Sequence, residues 1–141
     1  MSAEQVTQIV LHKLEEGLED IYIINFANGD MVGHTGNLAA AVKAVEKVDS
    51  CVGRLADKVL ALGGALLITA DHGNCEQMWD PINNCPHTAH TCYDVPLVVV
   101  DDRYVGKKLV EGGRLADIAP TMLKMLGLKQ PAEMTGSPLV P

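Results

Sequence analysis

Aromatic side chains are scarce: one Trp, three Tyr and one Phe make up 4% of the 141 residues. A core with so few rings must be assembled from Val, Leu, Ile, Ala and Met. The 48% hydrophobic content suffices for a single layered domain over residues 1–141. Arginine is also rare, with Arg54, Arg103 and Arg114 far apart. A phosphate site built within this chain therefore lacks its usual guanidinium clamps. The formal net charge of -7 excludes nucleic acid or an anionic membrane as the main partner. No apolar run approaches the roughly 20 residues that cross a bilayer, and the charged N-terminal segment has no leader pattern. A cytoplasmic location is the expectation. Cys51, Cys75, Cys85 and Cys92 show no CxxC spacing and read as free thiols. There is no GxGxxG or GxxxxGK[ST] loop for nucleotide phosphates. Ser2, Ser50 and Ser137 fall in a cap, a helix and the tail, not in a nucleophile elbow.

What the chain does have is histidine in company. Four of its five histidines fall in three short segments: Asp30-Met31-Val32-Gly33-His34, Asp71-His72-Gly73 and His87-Thr88-Ala89-His90. Each lies beside a carboxylate or another histidine, and imidazole with carboxylate suits a divalent metal such as Mn²⁺ or Zn²⁺. Taken singly, the first two segments have a plainer reading, a solvated Asx turn or an aspartate capping the next turn, and a lone histidine in a Thr-rich loop such as the third is more often structural than a ligand. Recurrence after two separate apolar runs favours ligation. His90 is the better third candidate, and His87 reads as a residue behind the ligands or a substrate contact. A thiolate ligand from Cys75, Cys85 or Cys92 is the lesser alternative, since metal-thiolate sites usually use close Cys pairs. His12, near the end of the first helix, reads as a surface residue.

The order of elements is that of an α/β fold. Ser2 and Gln5 suggest a capping box, followed by a helical stripe of Val6, Ile9, Val10 and Leu14 that Gly17 ends. Residues 21–26 form an apolar, β-branched run of the kind found in central parallel strands, and Ala27-Asn28-Gly29 breaks it into a loop that delivers Asp30. Asn37 caps a long helix with Leu38, Val42, Val45, Leu55, Val59 and Leu62 on one face, ended by Gly63-Gly64. Residues 65–70 form a second buried strand ending on Asp71, 73–86 a loop, and 96–100 a third strand with its proline first. Residues 104–110 suggest an edge segment. Residues 115–126 suggest a last amphipathic helix that tolerates Pro120 only in its first turn, and the tail from Gln130 is irregular. This alternation predicts a mostly parallel sheet with helices on both faces. Ligands gather beyond the carboxyl ends of such strands, where Asp30 and Asp71 would both emerge.

The stretch Asn25-Phe26-Ala27-Asn28-Gly29-Asp30-Met31-Val32-Gly33-His34-Thr35-Gly36 resembles the metal-loop signature of the cofactor-independent (2,3-bisphosphoglycerate-independent) phosphoglycerate mutases. Thr69-Ala70-Asp71-His72-Gly73-Asn74 and Pro86-His87-Thr88-Ala89-His90-Thr91 resemble that family's next two signatures, in the same order. Leu115-Ala116-Asp117-Ile118-Ala119-Pro120-Thr121 and Met134-Thr135-Gly136 are similar to its closing helix and tail. The resemblance runs along essentially the whole chain. It implies an alkaline-phosphatase-like domain with two divalent metals, commonly Mn²⁺, with Co²⁺, Zn²⁺ or Mg²⁺ as alternatives. Carried over by position, Asp30, His34 and His90 would hold one metal and Asp71 and His72 the other.

Family members interconvert 3-phosphoglycerate and 2-phosphoglycerate in glycolysis through a phosphoserine. They are several times longer than this chain, which resembles only their C-terminal part. The serine nucleophile and the arginine-rich substrate domain belong to segments that this sequence does not contain. The expectation is thus a C-terminal metal-binding portion, inactive by itself, whose partners are the N-terminal remainder and, in the complete enzyme, phosphoglycerate. It would be liable to self-association through an exposed sheet edge. Two other readings are a portion of another phosphotransferase of the same superfamily, such as a phosphopentomutase, and a metal-binding module without catalysis.

Overall fold

The structure is a computed structural model that describes residues 2–141. Helix α1 spans Ala3–Glu16 and stops where expected, because Gly17 adopts φ 62° and its N–H caps the Lys13 carbonyl. The expected capping box does not form, since the Ser2 side chain makes no cap bond. The buried positions of α1 are Ala3 and Thr7, small enough to let it lie close against the longest helix, α3, Leu38–Ala61. Asn37 caps α3 as its sequence position suggested, accepting from the Ala40 N–H.

The face that α3 buries is Ala41, Ala44, Cys51 and Leu55. The expected stripe is thus rotated, because Leu38, Val42 and Val45 stay largely exposed. Complementary charge joins α1 to α3. Glu4 accepts from Lys47 Nζ at 2.5 Å and Arg54 Nη1 at 2.6 Å, and Lys58 Nζ reaches Glu15 at 2.7 Å. The Lys47 and Arg54 bonds, with help from Gln8, lower the Glu4 pKa to about 2 despite an opposing desolvation effect. Open to water, these pairs orient the helices more than they stabilise them.

Strand β1, Leu66–Thr69, follows α3, then the short β2, Trp79–Asp80, and β3, Cys85–Pro86, and finally β4, Leu97–Val100. The α/β class holds, but the strand directions depart from expectation. β1 pairs antiparallel with β4 in register Leu66 to Val100, and β2 pairs antiparallel with β3 inside the segment read as a loop. Residues 21–26 carry no regular secondary structure and join no ladder among the described residues, with Ile23 90% exposed. The run has the composition of a strand, but a strand is made by its neighbours, and none lies beside it here. Residues 104–110 likewise form no strand, although the Val110 N–H donates to Leu139 O.

The last expected helix divides into a 3₁₀ turn, Leu115–Asp117, and α4, Ile118–Met125, which places Pro120 in the first turn where its missing donor is harmless. The tail folds back onto this unit. Asp117 accepts from the Arg114 and Ser137 N–H groups, and the fully buried Thr121 hydroxyl donates to Asp117 O and accepts from Leu139 N. Val140 is 1% exposed, so the irregular tail is packed. No helix among the described residues is long and apolar enough to cross a membrane.

Candidate metal centre

Asp30 does not sit on a loop. Residues Asn28–Gly33 form a short helix, α2, with His34 as its C-cap, and the His34 N–H closes a helical bond to Asp30 O at 3.1 Å. A four-residue separation on a helix puts two side chains on one face. Asp30 Oδ1 and His34 Nε2 are accordingly 3.1 Å apart. The third segment supplies His90, whose Nε2 lies 2.8 Å from the same Asp30 oxygen and 3.2 Å from His34 Nε2. One ligand atom from each of the three residues falls within 4.8 Å of the others.

Tautomers explain why these atoms gather. His34 Nδ1 is 2.7 Å from Thr88 O, and a carbonyl can only accept, so Nδ1 carries the proton. In the neutral ring this leaves a lone pair on Nε2, facing Asp30 Oδ1, which is itself an acceptor. Two acceptors 3.1 Å apart repel unless something positive lies between them. Without a metal, a proton on His34 Nε2 or on His90 Nε2 takes that place. A divalent cation would replace it and satisfy all three donors, so the donor set fits such an ion.

Asn74, 6% exposed, donates Nδ2 to Asp30 Oδ1 at 3.1 Å and fixes the carboxylate from behind. Desolvation works to raise the Asp30 carboxyl. The His90 hydrogen bond, the His34 and His90 rings and the Asn74 amide outweigh it, holding the group below its ordinary value.

The structure treats the remaining candidates differently. The Asp71 side chain is 73% exposed, and His72 Nε2 lies 3.7 Å from Asp71 Oδ1 and 3.9 Å from Asp30 Oδ1. The His72 ring stacks on His90 with centroids 3.8 Å apart, which brings the second segment against the first centre. Among the described residues neither Asp71 nor His72 belongs to a group of three ligand atoms within 4.8 Å of one another. His87 stands outside the group; its N–H donates to Met78 O, and its ring Nδ1 is buried without a partner. Cys75 donates to Gly29 O rather than joining the ligands, and burial, with Glu76 and Asp30 nearby, pushes its thiol up, which disfavours a thiolate. His12 pairs with Glu16 at the surface.

The sequence reading missed Asn74 and Thr88. Asn74 could have been suspected, as a polar residue directly after Asp71-His72-Gly73. Thr88 acts through its carbonyl alone and leaves no mark in the side-chain pattern.

Residues 1–130 match the profile of the metalloenzyme superfamily. The chain belongs to that superfamily. Its relatives narrow the comparison. It is 65% identical over 140 residues to a 2,3-bisphosphoglycerate-independent phosphoglycerate mutase of Rhodopirellula baltica, a match covering 99% of this chain and 26% of that protein. A Clostridioides difficile protein of the same name is 54% identical, with 28% of its length covered. Among solved structures, Leishmania mexicana phosphoglycerate mutase crystallised at low cobalt concentration matches with a TM-score of 0.83 at 31% identity. All of this chain and 28% of that one are covered. The chain thus spans about a quarter of the length of the relatives it matches. The alkaline-phosphatase-like α/β class inferred from its motifs holds.

Proposed function

We propose that this metalloenzyme domain is the metal-binding part of a cofactor-independent phosphoglycerate mutase, which interconverts 3-phosphoglycerate and 2-phosphoglycerate. The observation that carries the reading is the convergence of Asp30, His34 and His90, with Nδ1 of His34 held by Thr88. The three residues hold the first cation, with Mn²⁺ the preferred ion, and Asp71 with His72 contributes to a second. A divalent ion there supplies positive charge beside a transferring phosphoryl group and lowers the pKa of an attacking hydroxyl. Asp30 would offset part of the ion's charge, and His34 and His90 would each offer it a ring-nitrogen lone pair. Asn74 and Thr88 keep the donors aimed before the ion arrives. His87, whose ring Nδ1 is buried without a partner, is a substrate contact or a support for the third segment.

Arg54 is committed to Glu4 and Arg103 to Asp101, so two of the three guanidiniums are already paired with carboxylates of this chain. The serine that accepts the phosphoryl group and the arginines that hold substrate come from elsewhere in the enzyme. Alone, the chain binds metal without turnover. In isolation, the exposed Ile21, Ile23 and Val98 favour self-association, measurable by light scattering over a range of concentrations. The working location is the cytoplasm.

The test is calorimetric titration with Mn²⁺ beside an assay of 3-phosphoglycerate conversion. The assay is run with and without a polypeptide covering the remaining three-quarters of a relative. Expected are metal binding by the chain alone, no conversion alone, and conversion on complementation. Failure to bind Mn²⁺ overturns the metal reading, and robust conversion by the chain alone overturns the proposed division of labour.

A further inference from the structure

We infer that Glu76 is a positioning residue that ties the second histidine segment to the third and so holds His90 at Asp30. The inference rests on the metal centre proposed above and deepens it. Glu76 is in neither the ligand group nor the hydrogen bonds of Asp30, His34 or His90. Its reach is through neighbours on both sides. Oε2 accepts the Asn74 backbone N–H at 2.6 Å, and the side chain of that same Asn74 donates to Asp30. Oε1 accepts the hydroxyl of Thr91, the residue after His90.

Between these two bonds the backbones meet. Thr91 N donates to Gly73 O at 3.0 Å, an isolated antiparallel bridge joining the segments. One bridge with no ladder on either side is weak, because both flanking backbones are free to fray. A carboxylate bonded to both segments at the same point is what keeps the bridge closed. The crowding there is specific, since a Cβ at Gly73 would overlap Thr91 Oγ1 and Glu76 Oε1. Only glycine at 73 lets the carboxylate reach across. The stacking of His72 on His90 is the downstream consequence of the two segments being held together.

The test uses the 141-residue chain with Glu76→Ala, Thr91→Val, the double variant and Thr91→Ser. Three readouts are followed: hydrogen exchange of the Thr91 amide, the nuclear Overhauser contact between the His72 and His90 rings, and Mn²⁺ affinity by calorimetry. Either loss variant should speed Thr91 exchange about tenfold, abolish the ring contact and weaken Mn²⁺ binding roughly 10-fold, the usual scale for groups that orient ligands. The double variant should be no worse than Glu76→Ala, which already removes both bonds, and Thr91→Ser should keep all three readouts at the parent values. Native exchange and ring contact in Glu76→Ala, or strictly additive losses in the double variant, would overturn the inference.

If Glu76→Ala unfolds by circular dichroism, the near-isosteric Thr91→Val carries the decision alone. Should the unaltered chain bind no Mn²⁺, the metal reading fails, while the exchange and ring-contact measurements still decide the role of Glu76.

Discussion

Gly33→Ala sets two opposed effects against each other. Gly33 ends α2 with an ordinary negative φ, so alanine meets no backbone strain. Helix propensity alone would stabilise the change by about 1 kcal/mol. But a Cβ there would overlap the Asn74 side-chain amide and come within 3.1 Å of Cys75 Sγ. Asn74 is buried and cannot swing into solvent, so the least disruptive relief is to surrender its hydrogen bond to Asp30. A hydrogen bond to a charged group contributes roughly 1.5–3 kcal/mol. Asp30 is 32% exposed, which argues for the lower end of that range. Strain in displacing the buried amide adds about 1 kcal/mol or more. The net is a loss of about 1–2 kcal/mol, against the sign that propensity gives.

Asp30 would also lose the contact that aims it, lowering Mn²⁺ affinity roughly 10-fold or more. Urea denaturation at unchanged m-value and metal calorimetry read both quantities. A variant more stable than the parent, with undiminished metal affinity, would refute the reasoning.

Other expectations follow from the packed tail and the helix pair. Thr121→Val strands the Leu139 N–H and removes the donor to Asp117 O in a fully buried place. The expected cost is about 1–3 kcal/mol, and a change in denaturation free energy below about 0.5 kcal/mol would place Thr121 with inert surface sites. Glu4 has its pKa lowered from 4.5 to about 2 in the folded chain, so its ion pairs contribute fully above pH 4.5 and are lost as pH falls toward 2. Urea titrations should therefore show the deficit of Glu4→Gln shrinking across that window; a deficit independent of pH would exclude Lys47 and Arg54 as its cause.

Most local signals told in the sequence, the unformed capping box at Ser2 being the exception. Gly17 and Asn37 marked helix boundaries because a left-handed cap and a side-chain acceptor are short-range devices. Pro120 fixed the register of α4 for the same reason. What failed depended on neighbours. Residues 21–26 have strand composition but pair with nothing here, and β1 and β4 took an antiparallel arrangement that no pattern within either strand encodes. The buried face of α3 was misjudged because it is lined by small residues, Ala41, Ala44 and Cys51, where α1 and α2 pack on the helix, rather than by the larger apolar side chains.

For the site, Asp30, His34 and His90 were legible as residue types in company, and the structure brings them together. The helix that sets their spacing was not, since Asn28-Gly29 reads as a turn. Asn74, Thr88 and Glu76 act through an amide, a carbonyl and a bridge between segments, which only the folded chain assembles.

The most direct test of the centre is anomalous diffraction at the manganese edge from crystals of the chain grown in Mn²⁺. The expected result is a peak coordinated by Asp30 Oδ1, His34 Nε2 and His90 Nε2 together, with His34 Nδ1 still on Thr88 O. Saturating Mn²⁺ with no peak among those atoms, or a peak elsewhere with His34 and His90 turned away, would contradict it.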